Sequence, residues 1–467
     1  MDGNTVYQEN QIPQNPSYPG NNLPLQEITE DSSSGGIISK IVKIFIGIIV
    51  LVVLIFVVVN FILPLIGKNS EKGTVTLSYW GLWEDKNVMG PIISDFERKN
   101  PKIKINYVRE DPKQYRERLI TRINNGTGPD IFRFHNTWLP EVKNVLLPLP
   151  QEAISKDEFQ KNYYPVNVKD LTQSGAIYGI PLGIDTLALF TNTEILKAGG
   201  VLVPKTWNDF SSAAKQLTVK DESGKIKTAG AAMGTYDNIT HAPDIISLLF
   251  VQNGAKLENL SETKQNSKDA LDYYVSFATG GGNVWDNTLE TSLSAFSSGT
   301  LAMYFGFSWD ILTIKAINPN LSFEINPVPS LPGRSQTIAS YWVEGVSAKS
   351  KYKKEAFMFM NFLSQKETAI KLFNEESKTR LIGEPYARVD LAQTLKDNPM
   401  IYPFLENAKI AESSFFASDT FDNGLNSKMN SYLGNAIRSM LGNTSSDTAL
   451  ETLTKGVNQV LTEYGKL

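Results

Sequence analysis

Residues 44–59 of this chain carry no polar side chain, and after Asn60 the apolar run resumes as Phe61-Ile62-Leu63-Pro64-Leu65-Ile66. A helix over 44–66 reaches roughly 34 Å, enough to cross a hydrocarbon core of about 30 Å. Strands are far shorter than this, and core helices keep a polar face. A cleaved signal peptide has an apolar region of about 7–15 residues and ends in a small-residue cleavage site. Here the run ends Pro64-Leu65-Ile66-Gly67-Lys68, and no cysteine exists to accept a lipid. The expectation is one uncleaved transmembrane helix over residues 37–67.

Charge does not orient that helix. Lys40 and Lys43 precede it, while Lys68 and Lys72 follow with Glu71 between them, so the positive-inside rule is nearly balanced. The N-terminal side is a short acidic tail and the C-terminal side is long enough for a folded domain. If that domain works outside the cytoplasm, the protein is a single-pass cell-membrane protein with an extracytoplasmic C-terminal domain. Residues 1–36, rich in Asn, Gln, Pro, Ser and Gly, bury too little apolar surface to order themselves and are expected to be disordered.

The formal net charge of −4 comes from that tail, which holds Asp2, Glu9, Glu27, Glu30 and Asp31 and no Lys or Arg. The remainder is close to neutral and lacks the basic face that nucleic acid requires. With no cysteine and only His135 and His241 as histidines, a thiolate or His-rich metal site is excluded by count. No cofactor is expected. No G-x-S-x-G, H-E-x-x-H or phosphate-loop pattern occurs, and residues 419–424 place Phe421 where a calcium loop needs a ligand. Adjacent carboxylates such as Glu84 and Asp85 could serve glycoside hydrolysis, but among 49 acidic residues such a pair carries no signal.

Past the apolar run, hydrophobic period alternates between two and 3.6. Residues 74–79 place Val75, Leu77 and Tyr79 on one face, as a strand, and a loop over 80–85 follows. Pro91 is expected at the first position of a helix carrying Ile92, Ile93 and Phe96, which stops at Asn100-Pro101. Residues 102–108 alternate again, Tyr115, Leu119 and Ile123 mark a second helix, and 130–134 read as a buried strand. Strand–helix–strand units of this length give parallel pairs and an α/β class. Thr206 and Asp209 form a capping box for a helix with Phe210, Ala213, Ala214 and Leu217, and Gly199-Gly200 ends the helix before it. Trp207 and Trp285 are expected in the core.

Five segments, in order, resemble the extracellular solute-binding proteins, the sugar receptors of ATP-driven (ABC) importers of the maltose-binding-protein type. They are Gly126-Thr127-Gly128-Pro129-Asp130-Ile131, residues 179–185, residues 191–210 with Pro204-Lys205-Thr206-Trp207, Phe296-Ser297-Ser298-Gly299-Thr300-Leu301-Ala302-Met303, and residues 356–367. The resemblance implies an α/β, two-lobed periplasmic-binding-protein fold of type II character with a hinge, preceded here by one transmembrane helix. It implies a tail at 1–36, the anchor at 37–67, a linker at 68–74, lobe 1 from 75–184 with 345–392, and lobe 2 from 185–344 with 393–467. Three crossings are expected, near 183–186, 341–345 and 390–398. The partners implied are a carbohydrate, or another small polar solute, and ABC transporter permease subunits. The family usually employs a lipidated cysteine or a free form, so a transmembrane anchor is a departure. A surface-anchored glycan-acting enzyme and an inward-signalling sensor are the other readings weighed.

In open α/β sheets ligands sit beyond the carboxyl ends of strands, and the loops there are aromatic. They supply Trp80, Trp83 and Glu84, then His135, Asn136 and Trp138, then Phe307 and Trp309, then Tyr341, Trp342 and Glu344. Aromatic faces stack on the C–H faces of sugar rings while nearby polar groups bond the hydroxyls. The ligand-binding set expected is Trp80, Trp83, Glu84, His135, Asn136, Asp185, Asp237, Trp309, Trp342 and Glu344. Trp309 is expected at a helix start, with Ser308 as its N-cap.

Overall fold

The computed structural model describes residues 73–466; the expected tail, the anchor and nearly all of the linker lie outside the described residues. No helix among the described residues is long and apolar enough to cross a membrane.

Two sheets organise the chain. In the first, strand Val75–Gly81 lies between Ile103–Arg109 and Ile131–His135, both parallel to it. Trp342–Ser347 then adds antiparallel to Ile131–His135, and Leu146–Leu147 and Ile180–Pro181 both pair with that late strand. The alternation read from the sequence is the one observed: Leu77 and Tyr79 are buried, as are Ile103, Ile105 and Tyr107. Trp80, expected in a loop, is instead within the first strand. Pro91, expected to open the next helix, lies inside helix Lys86–Lys99, because the Asp85 carboxylate accepts from the amides of Asn87 (2.8 Å) and Val88 (3.2 Å) and starts the helix earlier.

The second sheet runs Val219–Lys220, Ile226–Ala231, Leu301–Gly306, Ala188–Asn192, Phe323–Asn326. Its central strands Ala188–Asn192 and Leu301–Gly306 are buried at every position, as expected of strands covered on both faces. Helix Trp207–Leu217 carries the expected Thr206–Asp209 capping box and packs on Ile226–Ala231. Trp207 and Trp285 are buried there, their indole N–H groups donating to Gln252 (2.7 Å) and Asn238 (3.1 Å).

Between the sheets lies a small three-stranded ribbon: Ala411–Glu412, Thr337–Ser340 and Asp185–Thr186. Ile180–Pro181 belongs to the first sheet and Ala188–Asn192 to the second, so the chain passes between them through Asp185–Thr186. It returns through Thr337–Ser340 into Trp342–Ser347. Helices Lys353–Ser364 and Lys366–Thr379 then cover the first sheet's side, while Leu425–Leu441 and Ser446–Glu463 pack on helix Lys264–Val275.

Gly230 marks how closely the second sheet and its helix approach. A Cβ there would fall against the carbonyl of Ala214, a backbone atom that cannot swing aside. Overpacking of this kind costs about 1–3 kcal/mol. Gly230→Ala should therefore lower the unfolding free energy by that amount, read in a denaturation curve as a lower urea midpoint at unchanged m-value.

Candidate functional site

A cavity of about 520 Å³ opens between the two sheets, within the roughly 300–1,000 Å³ common for small-molecule sites. The first sheet's side contributes Trp83 and Glu84 from the loop after Val75–Gly81, Trp342, and Arg380, Ile382, Gly383 and Glu384 after helix Lys366–Thr379. The second contributes Ser308, Trp309 and Asp310 after strand Leu301–Gly306, with Thr240, Leu293, Asp419 and Phe421. Asp185, Ser340 and Tyr341, from the crossing ribbon and the residue beyond it, line the cavity between these walls.

The aromatic walls are built edge on face. Trp83 meets Trp342 at 5.5 Å and Phe421 at 5.6 Å, and Trp342 is backed by Trp138 at 5.2 Å and His135 at 5.1 Å. Opposite them, Trp309 lies flat on Phe307, with centroids 4.4 Å apart and rings 14° from parallel. Phe307 is fully buried and Trp309 is half-buried, so one face of the indole is held by protein. Trp309 is the residue preceding helix Asp310–Ile317, but Ser308 does not cap it. The Ser308 amide (2.9 Å) and hydroxyl instead donate to Asp185, joining the second wall to the first crossing.

Two buried ionic groups stiffen the walls. Arg133 pairs with Glu84 and, through Nε and Nη2, with Glu344 at 2.6 Å. Arg380 binds Glu376 at 2.6 Å and stands 3.7 Å from Glu84. In the other wall His241 Nε2 meets Asp310 at 2.9 Å, and that same carboxylate oxygen accepts from Tyr304 (3.0 Å) and the Phe307 amide (3.0 Å). Burial alone would lower the His241 pKa, but the Asp310 charge and hydrogen bond outweigh it and hold the imidazole near 9. His135 is pushed by burial down to about 3 and is neutral.

Of the ten residues expected to bind ligand, Trp83, Glu84, Asp185, Trp309 and Trp342 line this cavity. The other five stand outside its lining. Trp80 alternates away from Gly81 within its strand and packs toward Tyr115 at 6.4 Å. His135 sits one layer back, bonded to Thr137 (2.8 Å) and Ser340 (3.0 Å). Asn136 turns into a separate recess, donating to Asp170 (3.1 Å) and Ser413 (3.0 Å). Glu344 is consumed by Arg133, and Asp237 is an exposed partner of Arg438 at 3.2 Å. Sequence reasoning passed over Thr240, Asp310, Arg380, Glu384, Asp419 and Phe421. Only Phe421 carried a signal, an aromatic inside a turn-rich stretch; Asp419 and Phe421 both take left-handed backbone, with φ of 53° and 54°.

The His241–Asp310 pair makes stability pH-dependent. His241 has its folded pKa raised from 6.5 to about 9. Its contribution is present in full below 6.5 and is lost as pH rises through 9, about 3 kcal/mol in all. Urea unfolding at pH 7 and pH 10 should show that loss, and Asp310→Asn should flatten it.

A family model for bacterial extracellular solute-binding proteins matches residues 92–401. The multiple sugar-binding protein of Streptococcus mutans is 25% identical over 64% of this chain and 73% of its own length. Among solved structures, a cyclo/maltodextrin-binding protein complexed with maltotetraose superposes with a TM-score of 0.67 at 20% identity, over 84% of this chain and 99% of that one. The sugar-binding protein MalE of Xanthomonas citri gives 0.66 at 20% identity, over 83% and 98%. These are binding proteins rather than enzymes, and with two-thirds of its length matched this chain belongs to the bacterial extracellular solute-binding family.

Proposed function

We propose that this protein captures a saccharide in the cavity between its lobes and delivers it to the permease of an ABC importer. The observation that carries the reading is the pairing of tryptophan faces on opposite walls, Trp83 and Trp342 against Trp309, around a few fixed polar groups. Such faces cover both sides of a sugar ring while Asp185, Ser340 and Thr240 are placed to bond hydroxyls. The sugar-binding names of the relatives support it.

In this reading residues 37–67 anchor the chain in the membrane, and the binding domain lies outside the cytoplasm. Lobe 1 comprises 75–184 and 345–392 and lobe 2 comprises 185–344 and 393–467. Ligand favours the closed arrangement because only there do both walls touch it, so closure follows from differential affinity. The hinge includes Gly183. Its backbone is not left-handed; what it supplies is space, because a Cβ at that position would strike the Glu384 side chain.

Trp309 should be the strongest single aromatic contributor. Loss of its stacking face should weaken saccharide binding by about 2–4 kcal/mol. Calorimetric titration of Trp309→Ala, beside its unliganded melting curve, checks this; unchanged affinity, or a fall in stability large enough to explain the loss, removes Trp309 from the site. Closure itself should appear as a smaller radius of gyration on saturation with a bound saccharide, and scattering curves that superpose with and without ligand would contradict the hinge.

A further inference from the structure

Among the described residues the cavity is lined by five carboxylates, Glu84, Asp185, Asp310, Glu384 and Asp419, and one basic side chain, Arg380. Most of these charges are already engaged. Asp185 accepts from the amides of Thr186 (2.8 Å) and Ser308 (2.9 Å), Asp310 is held by His241, and Glu84 is held by Arg133. Glu384 is different. Its amide donates to Glu376 (2.6 Å), but among the described residues its carboxylate accepts no hydrogen bond. Its oxygen lies in a group with those of Glu84 and Glu376 in which all are within 4.8 Å of one another.

Behind the lining the imbalance deepens. Glu376 is 1% exposed, and its Oε1, though ion-paired to Arg380, accepts no hydrogen bond; Glu344 Oε2 is likewise buried without one. With those two added, the carboxylates around the cavity pair, among the described residues, with Arg133, Arg380 and His241 as cations. Burial, reinforced by the Glu84 charge, pushes the Glu384 carboxyl up to about 6 against the pull of the Arg133 and Arg380 charges. Asp419, on the opposite wall and half-exposed, has among the described residues one ionic partner, His241 at 3.6 Å.

We infer that the saccharide taken by this cleft carries a protonated amine, as in an amino sugar or an aminated oligosaccharide, with the ammonium seated beside Glu384. The inference rests on the saccharide reading above and narrows it. A neutral sugar would donate hydroxyls to these carboxylates and leave the excess charge in place. An anionic sugar would be repelled. An ammonium supplies the missing positive charge and donors together, and the faces of Trp83, Trp342 and Trp309 attract a cation as well as a C–H surface.

The test is calorimetric titration of the full chain in detergent at pH 6.5 with three oligosaccharides of matched length: a β-linked glucosamine oligomer, its fully N-acetylated form, and an unsubstituted glucose oligomer. The glucosamine oligomer should bind at least about tenfold more tightly than either neutral counterpart. Glu384→Gln should reduce that ratio to about threefold or less, and Asp419→Asn, at a half-exposed position, provides a second reading should the first variant fold poorly. Neutral oligomers binding as tightly as the amine would overturn the inference and leave saccharide binding standing. Failure of all three would remove support from both. Calcium alone binding in a Glu384-dependent way, with no preference for the amine, would assign the carboxylate cluster to a metal ion and overturn the inference.

Discussion

Arg133 stands near the centre of the first sheet, on strand Ile131–His135, with 2% of its surface exposed. Removing a guanidinium from water costs several kcal/mol, and the cost is recovered only with well-placed partners. Glu344 is one, directly across the strand pair, where the antiparallel register sets the two residues opposite each other. Glu84 is the other, and it comes from the loop that forms one wall of the cavity. Burial opposes the charge on Arg133, and the two carboxylates more than offset it. The wall of the cleft is therefore fixed from behind by the sheet. Removing one member would strand a buried charge, so the three behave as a unit.

The second wall follows the same plan with weaker charges. Asp310 gathers His241, Tyr304 and the Phe307 amide on one oxygen, and this fixes the turn that presents Trp309. Asp185 gathers the Ser308 amide and hydroxyl, tying that turn to the place where the chain first crosses. Carboxylates thus do two kinds of work around one cavity: some are spent on positioning aromatic faces, while Glu384 and Asp419 remain facing the space those faces enclose.

What the sequence disclosed follows from range. Alternation over 75–79 and 103–107 and helical spacing through Tyr115, Leu119 and Ile123 are local, and the elements formed where those patterns lie. Position relative to a strand end is also local, and it marks Trp83 and Trp309, in loops after strands, and Trp342, the first residue of its strand; all three lie in the lining. Trp80 shows the limit. It is three residues from Trp83, but it falls inside the strand, where alternation turns it toward Tyr115. Arg380 and Glu384 had no local mark, since they follow a helix on the far side of the first sheet in sequence, and only tertiary packing brings them to Glu84. Ser308, expected to cap the helix next to it, instead bonds Asp185 across more than a hundred residues. Asp237, expected in the binding set, is a surface partner of Arg438.

Asp419 and Phe421 give the cleft an order of completion. By residue 400 a chain leaving the ribosome already contains both main sheets, the crossing strands Asp185–Thr186 and Thr337–Ser340, and every tryptophan of the cavity. It still lacks Phe421, which closes against Trp83, and Asp419, the second acid beside His241. Those residues are held by a loop with two left-handed positions, and Asp422 within it accepts from the amides of Asn426 (2.8 Å) and Ser427 (3.0 Å) at the start of helix Leu425–Leu441. That helix packs in turn on Ser446–Glu463, the last helix of the chain. The pocket is thus sealed from its C-terminal end, and a nascent or prematurely ended polypeptide holds the scaffold of the receptor without its finished site.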